Sequence, residues 1–383
     1  MVAADLGEGV RPWRYRVFRV SGVTHNFDEP MSWDEMGLAP CYGVSTTERI
    51  GSVEDVTATV PVDAPCPDLV PGRTVIAAER GTDLFAWLLW RIDWASDAPH
   101  RQMSLKGWAS ALQARNVMET LDWRGDQALD QLEMARRLVL HAQDRPGGDL
   151  HIDVGDAQSG IVRERVYEGN ARKQIWEALT QLAGVVRGFE HRLVPYWTDD
   201  DGPIRWRYEQ GFPTLGRTAS ETGYVLDYQE GFPGSNVFAY TWPDDAAGMA
   251  NVTHVLGEEV VGFREAPEDW REFLRLERSW TQNSVSQQQT IDDYAEAYLN
   301  IWHRPLAETQ VTLSPNQDTI PNPGDHVRLR LTSRRHPRNG ENPGLDEVWR
   351  VMERQISAPS RGEPERVRLS LQRPLTVEIP DWD

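Results

Sequence analysis

Residues 74–108 read TVIAAERGTDLFAWLLWRIDWASDAPHRQMSLKGW. Thr74–Arg80, the turn Gly81-Thr82-Asp83 and Leu84–Ala95 have the pattern of a β-hairpin, with apolar runs on both sides of a short polar turn. In the second strand Leu84, Ala86, Leu88, Trp90, Ile92 and Trp94 share one face. The other face starts apolar with Phe85, Trp87 and Leu89, then changes to Arg91 and Asp93. One end is therefore expected to be buried on both sides and the other half-exposed. Ser96–His100 turns the chain again, and Gln102–Trp108 returns as a third strand. Such an antiparallel meander is read as part of a barrel.

The same alternation recurs outside the meander. Trp13–Val20 and Ser52–Val60 read as strands before it. Val327, Leu329 and Leu331 alternate with Arg328 and Arg330; Val367, Leu369 and Leu371 alternate with Arg366, Arg368 and Ser370; Val348–Ile356 lies between them. Strands with one apolar and one arginine-bearing face suit a wall that is packed inside and wet or interfacial outside. Shorter strands are expected at Val225–Tyr228, Asn236–Trp242, Asn251–Leu256 and Leu276–Thr281.

Between the strand-rich ends lies a helix-bearing block. Asp126 reads as the N-cap of a helix with Leu129, Leu132, Ala135, Leu138, Val139 and Ala142 on one stripe, stopped by Pro146-Gly147-Gly148. Leu150–Val154 and Ile161–Tyr167 read as strands. Asn170 is placed to cap a second helix carrying Ile175, Ala178, Leu179, Leu182 and Val186. Phe189–Tyr196 and Ile204–Tyr208 form a hairpin across the acidic loop Asp199-Asp200-Asp201-Gly202. A third helix is expected behind a Ser286/Gln289 capping box, with Ile291, Tyr294, Ala295, Tyr298 and Trp302 on its buried stripe.

Composition narrows the function. With 39% hydrophobic residues in 383, the chain has material for real cores, and two domains are the natural expectation. No apolar run is long enough to span a bilayer, and no basic-then-apolar start marks a secretory signal. The net charge of −19 argues against a protein that grips nucleic acid, which needs basic stripes. It is compatible with a surface past which nucleic acid slides. The basic run Arg334-Arg335-His336-Pro337-Arg338 reads first as a solvated loop and second as an anion or partner contact. Cys41 and Cys66 read as reduced structural thiols. The sixteen tryptophans are scattered from Trp13 to Trp382, which suits core and subunit-interface anchors better than a sugar platform.

No catalytic constellation stands out, and no catalytic, cofactor or metal residue is assigned. The histidines lack metal-ligand spacing. There is no Gly-x-Ser-x-Gly elbow, and neither cysteine has a protease signature. Glu258-Glu259 and Asp244-Asp245 read as solvated turn acids. Asp199-Asp200-Asp201 lacks the spaced pattern of a calcium loop. Asn251-Val252-Thr253 is a chance sequon. The glycines around Phe212–Arg217 lack the Lys-Ser/Thr of a phosphate loop, so turn chemistry accounts for them.

One ordered set of motifs carries a resemblance. It comprises the meander Thr74–Trp108, Asp130-Gln131-Leu132 before Gly147-Gly148-Asp149, Ser159-Gly160, and Arg165-Val166-Tyr167. Gly211-Phe212-Pro213-Thr214-Leu215-Gly216-Arg217-Thr218 follows, then Tyr240-Thr241-Trp242-Pro243-Asp244 with Ala250-Asn251, and Pro323-Gly324-Asp325-His326-Val327-Arg328-Leu329. From about Thr74 to Gln372 the chain resembles the minor tail proteins of siphophages that infect actinobacteria, within the tail hub family.

The resemblance implies a mainly β tail hub fold: two tail-tube-like β-barrels with a small central α+β domain. The expected division is 1–124 (N-terminal barrel region), 125–221 (central α+β domain with its hairpin) and 222–383 (C-terminal barrel region with one inserted helix). It implies a homotrimer ring at the tail tip, assembled in the host cytoplasm. The distal tail or tube protein lies above, tip or receptor-binding proteins below, the tape measure protein in the lumen, and genomic DNA only in transit. Larger relatives carry fibre, peptidase or carbohydrate-binding extensions. This chain closes at Trp382-Asp383 just after its last strand, so those activities are not carried over, and no enzymatic role and no cofactor are expected. The alternative readings are a virion-associated cell-wall hydrolase or carbohydrate-binding tip protein, and the hub of a phage-derived injection machine. An acidic pore wall is expected, with Arg334–Arg338 away from it.

Overall fold

The computed structural model describes residues 13–21 and 32–373, apart from 146, 200–202, 244, 283–284, 306–307, 315–316, 318, 341 and 361–362. Seven strands fill the first third: β1 (Arg14–Ser21), β2 (Ser32–Leu38), β3 (Tyr42–Arg49), β4 (Asp55–Pro61), β5 (Thr74–Arg80), β6 (Asp83–Asp93) and β7 (His100–Gly107). The middle holds α1 (Ala109–Gln113), α2 (Gln131–Gln143), β8 (Ile152–Val154), α3 (Ile175–Ala183), β9 (Glu190–Trp197) and β10 (Ile204–Gly211). Then come α4 (Ala219–Thr222), β11 (Val225–Gln229) and β12 (Val237–Thr241). An insert follows, made of β13 (Val252–Leu256), β14 (Val261–Glu265), β15 (Glu277–Thr281) and α5 (Gln288–Trp302). The chain ends its described part in β16 (Thr309–Leu313), β17 (His326–Thr332), β18 (Leu345–Ser357) and β19 (Arg366–Gln372).

The protein is mainly β, and one large sheet links its two ends. Thirteen strands join in the order β12-β16-β19-β18-β3-β4-β7-β6-β5-β1-β2, with β11 and β17 branching from β18. The long strand β18 makes the join. Its first half pairs with β17 (Val327↔Trp349, Leu329↔Glu347), and its second half pairs along the same edge with β3 (Gln355↔Thr47, Ser357↔Ser45). Two barrel regions were expected in 1–124 and 222–383; a continuous sheet threads both, and no ladder closes a barrel among the described strands. Near β11 and β12 a side chain stands in for a ladder. The Asn236 amide accepts from Asp227 N at 2.8 Å and donates to Val225 O at 2.7 Å.

Two large cores follow from the alternation. One face of the sheet contributes Val17, Ile76, Phe85, Trp87, Leu89, Leu105, Val327, Leu329, Leu331, Val367, Leu369 and Leu371 to one core drawn from both ends of the chain. The opposite face of β1, β5 and β6 contributes Phe18, Val75, Ala77, Ala86 and Leu88 to a second core. That core is completed by α2, α3 and the β8–β10 sheet, through Leu138, Leu179, Trp206 and Tyr208. The double burial of Phe85–Leu89 was legible in the meander. A bulge after Leu89 ends it, leaving Trp90 two-fifths exposed while its Nε1 donates to Ser110 Oγ at 2.9 Å.

The helix starts differ from the sequence reading. Asp130, not Asp126, caps α2: its carboxylate accepts from Leu132 N at 2.8 Å and also from Ser159 N and Gly160 N. Asp126 sits in a 3₁₀ turn, Gly125–Gln127. Asn170 lies in another such turn, and α3 begins after Gln174 without a side-chain cap. The Ser286/Gln289 box does not form, because α5 begins at Gln288. A capping box does form at Thr218 and Glu221 on the short α4. The strand expected over Ile161–Tyr167 is two short pieces, Val162–Arg163 and Arg165–Tyr167, which pair with Leu129–Asp130 and Leu121–Trp123.

Candidate functional face

The strand registers place polar side chains in unbroken rows on the solvent face of the sheet. Thr312, Arg368, Gln355, Thr47, Asp55 and Lys106 are successive cross-strand partners over β16, β19, β18, β3, β4 and β7. The neighbouring row runs Arg366, Ser357, Ser45, Thr57, Ser104 and Arg91. Behind them, Val311, Leu369, Ile356, Thr46, Val56 and Leu105 are all buried. Six strands at their usual spacing make this face about 24 Å wide.

The rows hold more cations (Arg91, Lys106, Arg366 and Arg368) than acids (Asp55), and part of that charge is paired locally. Lys106 Nζ lies 3.4 Å from Asp55 Oδ1, and Arg49 Nη1 lies 4.0 Å from Glu353 Oε2 on the partner strand. Arg91 pairs with Asp93 at 2.9 Å. Ser45 Oγ and Ser357 Oγ approach at 3.5 Å. Arg366 and Arg368 enter no ion pair among the described residues. Hydroxyls and amides dominate the face, and the cations left over give it a small positive excess, well short of the dense basic stripe of a DNA grip.

Beneath this face, facing inward from β18, Arg354 is buried over the Phe85 ring, and its Nε donates to Glu48 Oε2 at 2.5 Å. Glu54 accepts from Trp87 Nε1 at 3.0 Å. Desolvation, with the Glu48 charge second, pushes its pKa up to about 8. These groups line a cleft of ≈ 380 Å³ between the sheet and β9, whose other walls include Leu84, Trp108, Tyr196 and Trp197.

Other candidates resolve into structure. His191 is buried against Trp176, Phe189 and Tyr208, and burial pulls its pKa down to about 4. Asn251 and Thr253 of the sequon are buried; Asn251 bonds Leu274 O and Leu276 N, and Thr253 bonds Ala295 O. Cys41 and Cys66 are free and half-buried, and burial pushes the Cys41 thiol up to about 12. Glu258 and Glu259 sit exposed in the β13–β14 turn. Asp200, Asp201 and Asp244 lie outside the described residues, as do Trp382 and Asp383. Among the described residues no group of three or more His, Cys, Asp or Glu is placed to hold a metal, and no helix is long and apolar enough to cross a membrane. Of the described tryptophans, Trp90 and Trp94 stand out as exposed while Trp87, Trp206 and Trp349 are fully buried. The face itself was half visible in the sequence: the arginine side of β19 was read as wet or interfacial, whereas the Ser/Thr rows of β3 were not.

No family model matches the chain, and no curated protein matches it. Its fold, however, is found among solved structures. The tail protein from Neisseria meningitidis MC58 superposes with a TM-score of 0.57 at 14% identity, over 94% of this chain and 96% of that one. The 43 kDa tail protein of prophage MuSo2 from Shewanella oneidensis gives 0.54 at 10% identity, over 94% and 98%. The prophage tail protein gp18 from Listeria monocytogenes EGD-e gives 0.51 at 9% identity, over 93% and 94%. The chain thus has the fold of phage tail proteins, along nearly the whole length of each.

Proposed function

We propose that this protein is a structural tail hub of a bacteriophage, and that the polar face of its linking sheet lines the channel through which the genome leaves. The observation that carries the reading is the pair of unbroken rows from Thr312 to Lys106 and from Arg366 to Arg91. A face that stays polar, rich in hydroxyls and with only a small excess of cations, across strands drawn from both ends of the chain suits passing contact with a polyanion. It does not suit a core, and it does not suit a DNA grip, which requires many unpaired cations.

On this reading the wall carries a small positive excess, where an acidic wall was expected from net charge. Part of the chain's acidity lies in the insert between β12 and β16. Three copies form a ring at the tail tip of a siphophage of actinobacteria, divided at 124/125 and 221/222. Its partners are the tube or distal tail protein above, tip or receptor-binding proteins below, and the tape measure protein inside. The chain assembles in the host cytoplasm and works in the virion, without catalysis and without a cofactor.

A reconstruction of the assembled tail tests this. Three copies around the axis with Gln355 and Thr47 facing the lumen are expected. One or six copies, or those residues facing outward, overturn the hub assignment. A lytic band in host-wall zymography that survives repurification overturns the non-enzymatic part.

A further inference from the structure

The arginine run flagged in the sequence and the acidic insert remain unexplained by the channel. Residues 326–338 hold five arginines and no acid, in a chain of net charge −19. Residues 243–305 hold twelve Asp and Glu against five arginines and no lysine. Arg328 and Arg330 pair with Asp346, which leaves the arginines at the end of β17 near exposed Phe232, while the insert exposes Leu256, Val261 and Phe263.

On the insert, α5 covers one face of the β13–β15 sheet: Thr253 Oγ1 bonds Ala295 O, and Val255 packs with Ile291 and Ala295. The other face is open. Leu256 and Val261 are the last registered pair before the β13–β14 turn, and His254 and Phe263 are a pair further back. Leu256, Val261 and Phe263 are 41%, 54% and 42% exposed. Glu258 and Glu259 project from the turn and enter no ion pair among the described residues.

At the end of β17, two turns are tied into one patch. Glu230 N bonds Thr332 O at 3.0 Å, and Arg334 N bonds Glu230 Oε2 at 3.2 Å. Phe232 is 53% exposed there, and the Arg334 side chain is 95% exposed, with Glu230 3.6 Å away. Arg335 lies over Trp242 at 5.6 Å, and Arg338 is exposed.

We propose that these patches are two halves of one contact between copies of this chain. The Leu256/Val261/Phe263 face and the Glu258-Glu259 turn of one copy dock on the Phe232/Arg334/Arg338 patch of the next. A ring needs such a head-to-tail contact between two different, complementary surfaces. Apolar side chains at the centre with opposite charges at the rim is the arrangement that excludes wrong partners and sets register. This rests on the ring reading and adds its contact residues.

The test is the concentration dependence of the full chain's mass by sedimentation. Glu258→Arg with Glu259→Arg, and separately Arg334→Glu with Arg338→Glu, are each expected to weaken trimer formation at least tenfold. The fourfold variant is expected to recover most of it, because the reversed charges again oppose. Phe263→Ser weakens assembly without charge change. All these sites are exposed, and unchanged circular dichroism verifies folding. A trimer indifferent to both reversals, or no recovery in the fourfold variant, overturns the inference while the ring stands. A chain monomeric at every concentration overturns the inference too, and the ring reading is then decided separately by copy number in the tail.

Discussion

Arg217 and Asp325 face each other across 108 residues of sequence, with Nη2 2.7 Å from Oδ2 and Nε 3.2 Å from Oδ1. Asp325 is buried and also accepts from Arg217 N and Asn322 N. The contact locks the Gly211–Thr218 turn to the Pro323–Asp325 turn. Beside it, Glu190 accepts from Leu215 N at 2.7 Å and from Arg350 Nη1 at 2.7 Å. Two stretches that stood out separately in the sequence thus form one joint, which holds the β9–β10 hairpin against the large sheet.

Asp325→Ala is expected to cost roughly 2–4 kcal/mol, because two backbone donors lose their acceptor in a buried site. Arg217→Ala is expected to cost about 1 kcal/mol, since half of that side chain is in water. Arg217 and the backbone donors hold the Asp325 pKa below the usual carboxylate value, against the opposing effect of burial. Its contribution is therefore present above the unfolded value near 4 and is lost as pH falls through the lower folded value. Denaturant titrations of native protein and Asp325→Ala at pH 7 and pH 3 measure this. A stability gap that does not narrow in acid contradicts it.

Gly216 explains why that turn is glycine-rich without any phosphate. Its φ is +104°, and an added Cβ would lie 2.0 Å from Gly324 O. Gly216→Ala is expected to cost at least about 3 kcal/mol, from backbone strain and overlap together. Gly160, at φ +74° with open space around it, isolates the strain: Gly160→Ala is expected to cost about 1 kcal/mol. Equal melting shifts in the two variants would refute the steric account.

The large sheet was legible wherever alternation was strong. Leu329 and Leu369 were read as inward and are fully buried. Strand β3 was hidden because YGVSTTER turns Val44, Thr46 and Glu48 inward, and two of those three are polar. Thr46 is buried and Glu48 pairs with Arg354, so tertiary partners override the local pattern. The pairing of β3 with β18 joins residues some 310 positions apart (Ser45 and Ser357), and no local signal encodes it. The helix starts failed for a related reason. Asp126 and Asn170 have the right chemistry for caps, but Asp130 is chosen because its carboxylate also receives the Ser159-Gly160 turn.

Glu54 predicts a loss of stability in alkali. Its folded pKa lies above its unfolded value of 4.5, so the folded state holds the proton more tightly. That contribution is full below about 4.5 and is lost as pH rises towards 8. Glu54→Gln retains an acceptor for Trp87 Nε1 and cannot ionise. It is expected to stay close to the native protein at pH 5 and to exceed it by several kcal/mol at pH 9. Unfolding midpoints across that range decide it, and a constant difference would place the cause elsewhere than in ionisation.

The channel reading makes its sharpest prediction in the row that contains Gln355 and Thr47. These residues are direct partners on β18 and β3, flanked by Arg368 on one side and the Asp55–Lys106 pair on the other. Thr47→Arg with Gln355→Arg adds two cations per copy to a wall in which only Arg366 and Arg368 of the rows are now without an ion pair among the described residues. Duplex DNA presents one negative charge per about 1.7 Å, and each new phosphate contact adds about 0.9 to the slope of log affinity against log salt. Tails carrying the double variant are expected to assemble, since both side chains point to solvent, and to release DNA more slowly. The slowing should fade as salt rises, because screening shortens the reach of each added charge. Thr47→Gln with Gln355→Thr permutes the same positions without charge and should leave release unchanged. Intact tails whose release rate and salt dependence are untouched by the two arginines would show that this face does not meet the genome.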